Sequence, residues 1–77
     1  MSMEVDQKLD ACGLVCPLPL LKAKQVLNKL DSGLILEVVC TDPGSVRDFE
    51  AFARQSGNEL LKKSETGGQY SHWLKKA

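Results

Sequence analysis

The spacing of hydrophobic positions changes several times along the chain, and each change marks a predicted element. Residues 5–10 alternate weakly between apolar and charged positions, which predicts a short first strand. From Leu20 the apolar residues recur every three or four positions, which predicts an amphipathic helix that is closed by residues 31–33. Residues 34–40 are almost continuously apolar, broken only by Glu37, and predict a central strand.

A second helix is predicted after the turn at residues 41–44, and residues 56–58 are predicted to end it. Two caps are compatible with its start. Asp42 can cap it with Pro43 at the first helical position, or Ser45 and Asp48 can form a capping box. The apolar residues that follow recur at helical spacing, so one face of this helix is expected to pack against the strands.

The last third of the chain predicts a β-hairpin. Residues 59–66 and 69–75 read as strands, and the intervening Gly67-Gly68 suits a tight turn. The resulting order βαβαββ predicts an α+β fold, a two-layer α/β sandwich in which a four-stranded mixed sheet carries two helices on one face. With 77 residues the chain is long enough for one domain and not two, so residues 1–77 are expected to form a single domain.

Composition and charge narrow the classes of function. Ten basic and ten acidic residues give a net charge of zero, which argues against direct DNA binding because phosphate neutralisation needs a basic surplus or face. No apolar run approaches the ~20 residues that span a bilayer, so the protein is not expected to be membrane-embedded. The first residues do not resemble a secretory signal, which predicts a cytoplasmic location.

Three cysteines are an odd number for a disulfide framework, and in a reducing cytosol they are expected to be free thiols. Cys40 ends an apolar strand and is predicted to be a core residue. A zinc site would need Cys12, Cys16, Cys40 and the only histidine, His72, together. These residues fall on different predicted elements, so no metal is expected.

Cys16 is the candidate for chemistry. It directly precedes a predicted helix at the N-cap position, with Pro17 at the first helical position and Pro19 in the first turn. Unpaired amides and the helix dipole at such a site lower the pKa of a thiol and favour the nucleophilic thiolate. A free cysteine is more commonly a small buried hydrophobe, although a loop between strand and helix runs over the surface. Position alone therefore supports a reactive and an inert thiol equally.

Residues 10–19, Asp-Ala-Cys-Gly-Leu-Val-Cys-Pro-Leu-Pro, resemble the signature of the TusA/SirA-like sulfur carrier family. That family has a Cys-Pro-x-Pro motif at the start of its first helix, a few residues after an Asp and a Gly. Residues 41–44 and 67–76 resemble its later segments, so the likeness covers nearly the whole chain. The resemblance implies a βαβαββ sandwich, sulfur carried as a persulfide on Cys16, and no cofactor.

The resemblance also implies supporting roles for four residues of the motif. Asp10 and Gly13 would shape the turn, while Pro17 and Pro19 would hold the start of the helix.

Partners implied for such a carrier are a cysteine desulfurase or rhodanese-type sulfur donor and an acceptor protein. Acceptors serve tRNA thiolation, molybdenum-cofactor pathways or sulfur oxidation, and some relatives work with a membrane thiosulfate transporter. Leu18 stands where the tRNA-thiolation members carry an acidic residue, which counts against that pathway. A monomer suits such transient docking.

Two rival functions stay open at this stage. A thiol–disulfide protein would use Cys12 as a resolving thiol for Cys16, although Cys12 also reads as a tolerated residue near the strand end. An RNA-binding module is the other rival, because the fold class resembles the C-terminal domain of translation initiation factor three. The zero net charge and the lack of an aromatic–basic motif count against it.

Overall fold

The computed structural model describes residues 5–77, and its elements follow the predicted βαβαββ order. The strands and helices are β1 Gln7–Ala11, α1 Leu18–Leu27, β2 Ile35–Cys40, α2 Ser45–Ser56, β3 Glu59–Thr66 and β4 Gln69–Lys75. The predicted α+β sandwich with a four-stranded mixed sheet is confirmed. The predicted bounds of β3 and β4 coincide with the observed ones, whereas β1 lies one to two residues later than predicted.

The strand order β1-β2-β4-β3 determines where the two strand-to-helix turns lie. β1 and β2 are parallel neighbours, and the last residue of one, Ala11, pairs with the last residue of the other, Cys40. The remaining pairs in the sheet are antiparallel. Because parallel strands finish at the same edge of a sheet, the turns after β1 and β2 lie side by side.

One face of the sheet carries both helices and the core. α1 packs on β1 and β2, and α2 packs on β3 and β4. The buried apolar side chains between the layers are Ala11, Ala23, Leu27, Leu36, Val38, Cys40, Phe49 and Leu74. On the opposite face, the Trp73 indole N–H donates to Glu37 Oε1 at 3.2 Å, and Lys62 Nζ lies 5.2 Å from the Trp73 ring centre.

No helix within residues 5–77 is long and apolar enough to cross a membrane.

Both helices begin differently from the prediction. Pro17 is the N-cap of α1, and α2 is capped by Gly44, without a side-chain capping hydrogen bond in either case. Asp42 Oδ1 accepts the backbone N–H of Gly44 at 3.2 Å, as the predicted Asp42 cap would, but the helix begins two residues later than that cap requires. The predicted capping box of Ser45 and Asp48 does not form. Asp42 Oδ2, Asp48 Oδ2 and Ser45 Oγ contact residues distant in sequence.

The end of α2 matches the prediction and provides a test of the backbone geometry. Gly57 follows the helix at φ +81°, and its N–H donates to the Ala53 carbonyl at 3.3 Å. A Cβ at Gly57 would meet only the Ala77 Cβ, at 4.0 Å, so substitution would cost conformational energy without a clash. We expect Gly57→Ala to lower the free energy of unfolding by about 1 kcal/mol, measured by urea denaturation. Gly44→Ala is the matched control, because φ −65° at Gly44 suits any residue; an equal loss there would contradict the explanation.

Candidate functional site

Cys16 lies where the turns after β1 and β2 meet. Its backbone N–H donates to Asp42 Oδ2 at 2.6 Å, and its thiol donates to Asp48 Oδ2 at 2.6 Å. The two carboxylates are 26 and 32 residues away in sequence, in the turn before α2 and in the first turn of α2. The parallel pairing of β1 with β2 brings them together. The second strand-to-helix turn thus holds both the main chain and the side chain of the candidate cysteine.

The first turn is shaped by the residues that precede Cys16. Asp10 Oδ1 accepts the backbone N–H of Cys12 at 3.0 Å, which tightens the chain as it leaves β1. Gly13 adopts φ +84°, and its N–H donates to Thr41 Oγ1 at 2.9 Å. The two turns are therefore linked by two hydrogen bonds, one from Gly13 and one from Cys16.

The predicted position of Cys16 at the N-cap of α1 is wrong. Cys16 lies one residue before the cap, and its peptide bond to Pro17 is cis. The backbone N–H of Leu18 donates to the Val15 carbonyl at 2.8 Å, and that of Leu21 donates to the Pro17 carbonyl. Two amides at the helix start are thus paired with carbonyl oxygens. Pro19 lies buried in the first turn of α1.

The predicted lowering of the Cys16 pKa is also wrong in sign. The hydrogen bond from the thiol to Asp48 raises the pKa of Cys16, and partial desolvation and the negative charges of Asp48 and Asp42 raise it further. A nearby carboxylate favours the neutral thiol because the thiolate would place two negative charges together. The resting Cys16 is therefore a protonated thiol at neutral pH.

The surface around Cys16 has two contrasting sides. On the side of α1 lie exposed apolar side chains, with exposed fractions of 66% for Val15, 42% for Leu18 and 44% for Leu21. On the side of α2, the thiol borders a shallow depression lined by Pro43, Gly44, Val46, Arg47, Asp48 and Glu50. Cys16 is thus exposed between an apolar rim and a charged depression, which is a setting open to another protein.

Cys12 belongs to a different part of the surface. Its thiol lies 4.0 Å from the Val39 carbonyl and 3.9 Å from Gln69 Nε2, on the sheet face opposite the helices. A hydrogen bond to Asp10, with burial adding to it, raises the pKa of Cys12. Cys12 and Cys16 are both free and exposed, and their contacts lie on different faces of the sheet. The geometry therefore does not pair them as a redox couple.

Cys40 and His72 form a buried polar group that the sequence reasoning missed in part. Cys40 is buried as predicted, and its thiol donates to Ser45 Oγ at 3.0 Å. Ser45 Oγ lies 3.1 Å from His72 Nε2, and the His72 ring stacks on Phe49 with 4.4 Å between centroids. Burial lowers the pKa of His72 to about 4. The alternation along β4 places His72 on the same face as Leu74, and that signal could have identified it as buried.

No group of three or more His, Cys, Asp or Glu side chains within residues 5–77 is arranged to hold a metal ion. Cys16 and the two carboxylates that contact it are the candidate reacting groups.

Comparisons with known proteins agree with this geometry. Residues 7–76 match a family model described as sulfurtransferase TusA. The chain is 55% identical over 74 residues to the sulfur carrier protein TusA of Allochromatium vinosum, covering 96% of this chain and 97% of the relative. It is 40% identical over 74 residues to the putative sulfur carrier protein YrkI of Bacillus subtilis, covering 96% and 99%. Among solved structures, a SirA-like protein from Desulfitobacterium hafniense superposes with a TM-score of 0.80 at 25% identity, covering 90% of this chain and 95% of that one.

Proposed function

Because the chain belongs to the TusA family of sulfur carriers, we propose that it carries sulfur as a persulfide on Cys16. A sulfur carrier works between a donor and an acceptor of sulfur, so its cysteine must be reachable by both. Of the three cysteines, Cys40 is buried and Cys12 lies on the face opposite the helices. The observation that carries the proposal is the exposed Cys16 thiol, held by its backbone between two turns and bordered by exposed apolar residues.

The chemistry asked of Cys16 is limited. A sulfur atom bound to Cys16 Sγ is a persulfide, whose outer sulfur can pass to a second thiol and leave Cys16 as it was. Partner proteins supply and remove that sulfur, so the carrier needs a firmly placed, accessible thiol more than a complete catalytic apparatus. The hydrogen bond from the Cys16 N–H to Asp42 holds the main chain, and the side chain stays at the surface.

The rim formed by Val15, Leu18 and Leu21 is the proposed contact for the donor and the acceptor. Exposed apolar side chains beside a reactive group favour docking of another protein, because contact removes them from water. The proposed donor is a cysteine desulfurase or a rhodanese-type protein, and the proposed acceptor is a second protein thiol. The free thiols of Cys12, Cys16 and Cys40 agree with the proposed cytoplasmic location, where thiols are kept reduced.

The test is intact-protein mass spectrometry after incubation with a cysteine desulfurase and cysteine, or with thiosulfate and a rhodanese. We expect one added sulfur atom on the wild type and on Cys12→Ser, and none on Cys16→Ser. A sulfur adduct that persists on Cys16→Ser would place the carrier site elsewhere. A wild type that gains no sulfur and instead loses two hydrogens would replace the proposal with a disulfide between Cys12 and Cys16.

A further inference from the structure

We infer that Asp48 is the catalytic residue that takes the proton of Cys16 during sulfur uptake and returns it to the departing donor. This inference rests on the proposed function of Cys16 as the persulfide carrier. The direct observation is that the Cys16 thiol donates to Asp48 Oδ2 at 2.6 Å. Asp48 therefore touches the reacting sulfur, in the position that a general base must occupy.

The fold holds this contact in place from both sides. Asp48 lies in the first turn of α2, where its backbone N–H donates to the Gly44 carbonyl at 3.2 Å. Asp42, in the preceding turn, accepts the backbone N–H of Cys16. The sulfur and the carboxylate are thus attached to backbone that is itself hydrogen-bonded, which limits how far they can separate.

The resting Cys16 is a protonated thiol, and its reaction therefore needs a group that accepts the proton. Since the carboxylates beside Cys16 raise its pKa, the attacking group arrives as a thiol, whereas the thiolate is the nucleophile. Its proton must therefore leave as the new sulfur–sulfur bond forms. A carboxylate is a weak base toward a free thiol, but it becomes an adequate acceptor once bonding withdraws electrons from the sulfur.

The transfer can be written with a donor persulfide, R–S–SH. The Cys16 proton passes to Asp48 Oδ2 while Sγ attacks the outer sulfur of the donor. The bond between Sγ and that sulfur forms, the donor S–S bond breaks, and the inner donor sulfur leaves with the electron pair. Asp48 gives the proton to this leaving sulfur, which departs as R–SH. Cys16 ends as Sγ–SH and Asp48 as a carboxylate, and the exchange involves no net oxidation or reduction.

The other charged groups that line the depression beside Cys16 are Arg47 and Glu50, with Asp42 beside its backbone. Glu50 lines the same depression, and its carboxylate is paired with Lys63. Arg47, next to Asp48 in sequence, adds a positive charge at the rim of the same depression. Among the residues that the structure describes, only Asp48 combines a carboxylate with a hydrogen bond to the Cys16 thiol.

We expect Asp48→Asn to have opposite effects on two reactions of Cys16, alkylation and sulfur uptake. In a Cys12→Ser background, Asp48→Asn should react severalfold faster with iodoacetamide at pH 7, because the thiolate is no longer opposed by the Asp48 carboxylate. The same variant should take up sulfur at least about tenfold more slowly than its parent at pH 6, where thiolate is scarce and a proton acceptor matters most. Uptake is followed by intact mass against time with one rhodanese and thiosulfate from pH 6 to 9.

The ratio of variant to parent at each pH cancels the titration of the donor. Glu50→Gln, a carboxylate of the same helix and depression, is the matched control and should keep the parent profile in both reactions. Asp48→Glu should restore part of the uptake at pH 6. If Asp48→Asn speeds both reactions together, or leaves uptake unchanged at every pH, Asp48 is not the proton acceptor. Failure of the Cys12→Ser parent to gain sulfur would instead overturn the proposed function itself, and the alkylation profile would still report on the contact.

Discussion

Replacing Phe49 with alanine is expected to lower the free energy of unfolding by about 3 to 5 kcal/mol, the usual cost of truncating a buried aromatic side chain. Phe49 is fully buried on α2 and stacks on the His72 ring of β4, with an angle of 18° between the two planes. Its removal leaves a cavity between helix and sheet and takes away the neighbour that covers His72. Since the free energy of unfolding of a domain is typically about 5 to 15 kcal/mol, this single substitution would remove a large share of it.

The measurement is urea denaturation followed by circular dichroism and by the fluorescence of Trp73, the only tryptophan. Phe52→Ala is the matched control, because Phe52 lies on the same helix but is only partly buried. Its expected loss is smaller, about 1 to 2 kcal/mol. Equal losses for the two variants would show that Phe49 is not the main contact between α2 and the sheet.

Acid is expected to destabilise the fold through His72. The folded-state pKa of His72 is about 4, below its ordinary value of 6.5, because burial opposes the charged ring and Lys63 adds to that effect, while Glu50 opposes it. The unfolded chain therefore binds the proton first as the pH falls. The stability associated with the neutral ring is complete above about pH 6.5 and is lost as the pH falls toward 4. The difference between the two pKa values of His72 corresponds to roughly 3 kcal/mol of the free energy of unfolding.

This pH dependence is measured as the free energy of urea unfolding at a series of pH values between 7 and 4. His72→Gln removes the titration and keeps a polar group that can reach Ser45, so its stability should change less steeply over the same range. Both proteins carry the same carboxylates, so the contribution of the carboxylates cancels in the comparison. Parallel curves for the wild type and His72→Gln would exclude His72 as the source of acid sensitivity.

Much of the fold could be predicted from local patterns. The hairpin was predictable to the residue, because the two predicted strands flank Gly67 and Gly68, which both adopt positive φ, at 57° and 82°. The end of α2 at Gly57 was predictable for the same reason, since a left-handed residue after a helix strongly favours glycine. These features depend on neighbours in sequence, and such neighbours are visible without the structure.

The candidate site could be predicted only in part. The identity of the candidate cysteine follows from the motif, but the contacts of Asp42, Ser45 and Asp48 do not. All three residues favour helix caps, and local patterns assign them that role. In the fold, their oxygen atoms meet Cys16 and His72, which only the pairing of distant strands brings near. The predicted sign of the Cys16 pKa shift failed for the same reason, because its cause lies 32 residues away.

The division of the site between two strand–helix units bears on how such carriers can diverge. Residues 7–27 supply the sulfur atom and the apolar rim, whereas residues 35–56 supply the carboxylates that contact the sulfur and its backbone. A change at Asp48 would alter the acidity of the thiol and leave Val15, Leu18 and Leu21 as they are. A change in the rim, the proposed docking surface, would be expected to alter which proteins dock and to leave the acidity intact. On this proposal, reactivity and partner choice are separate traits that mutation can adjust one at a time.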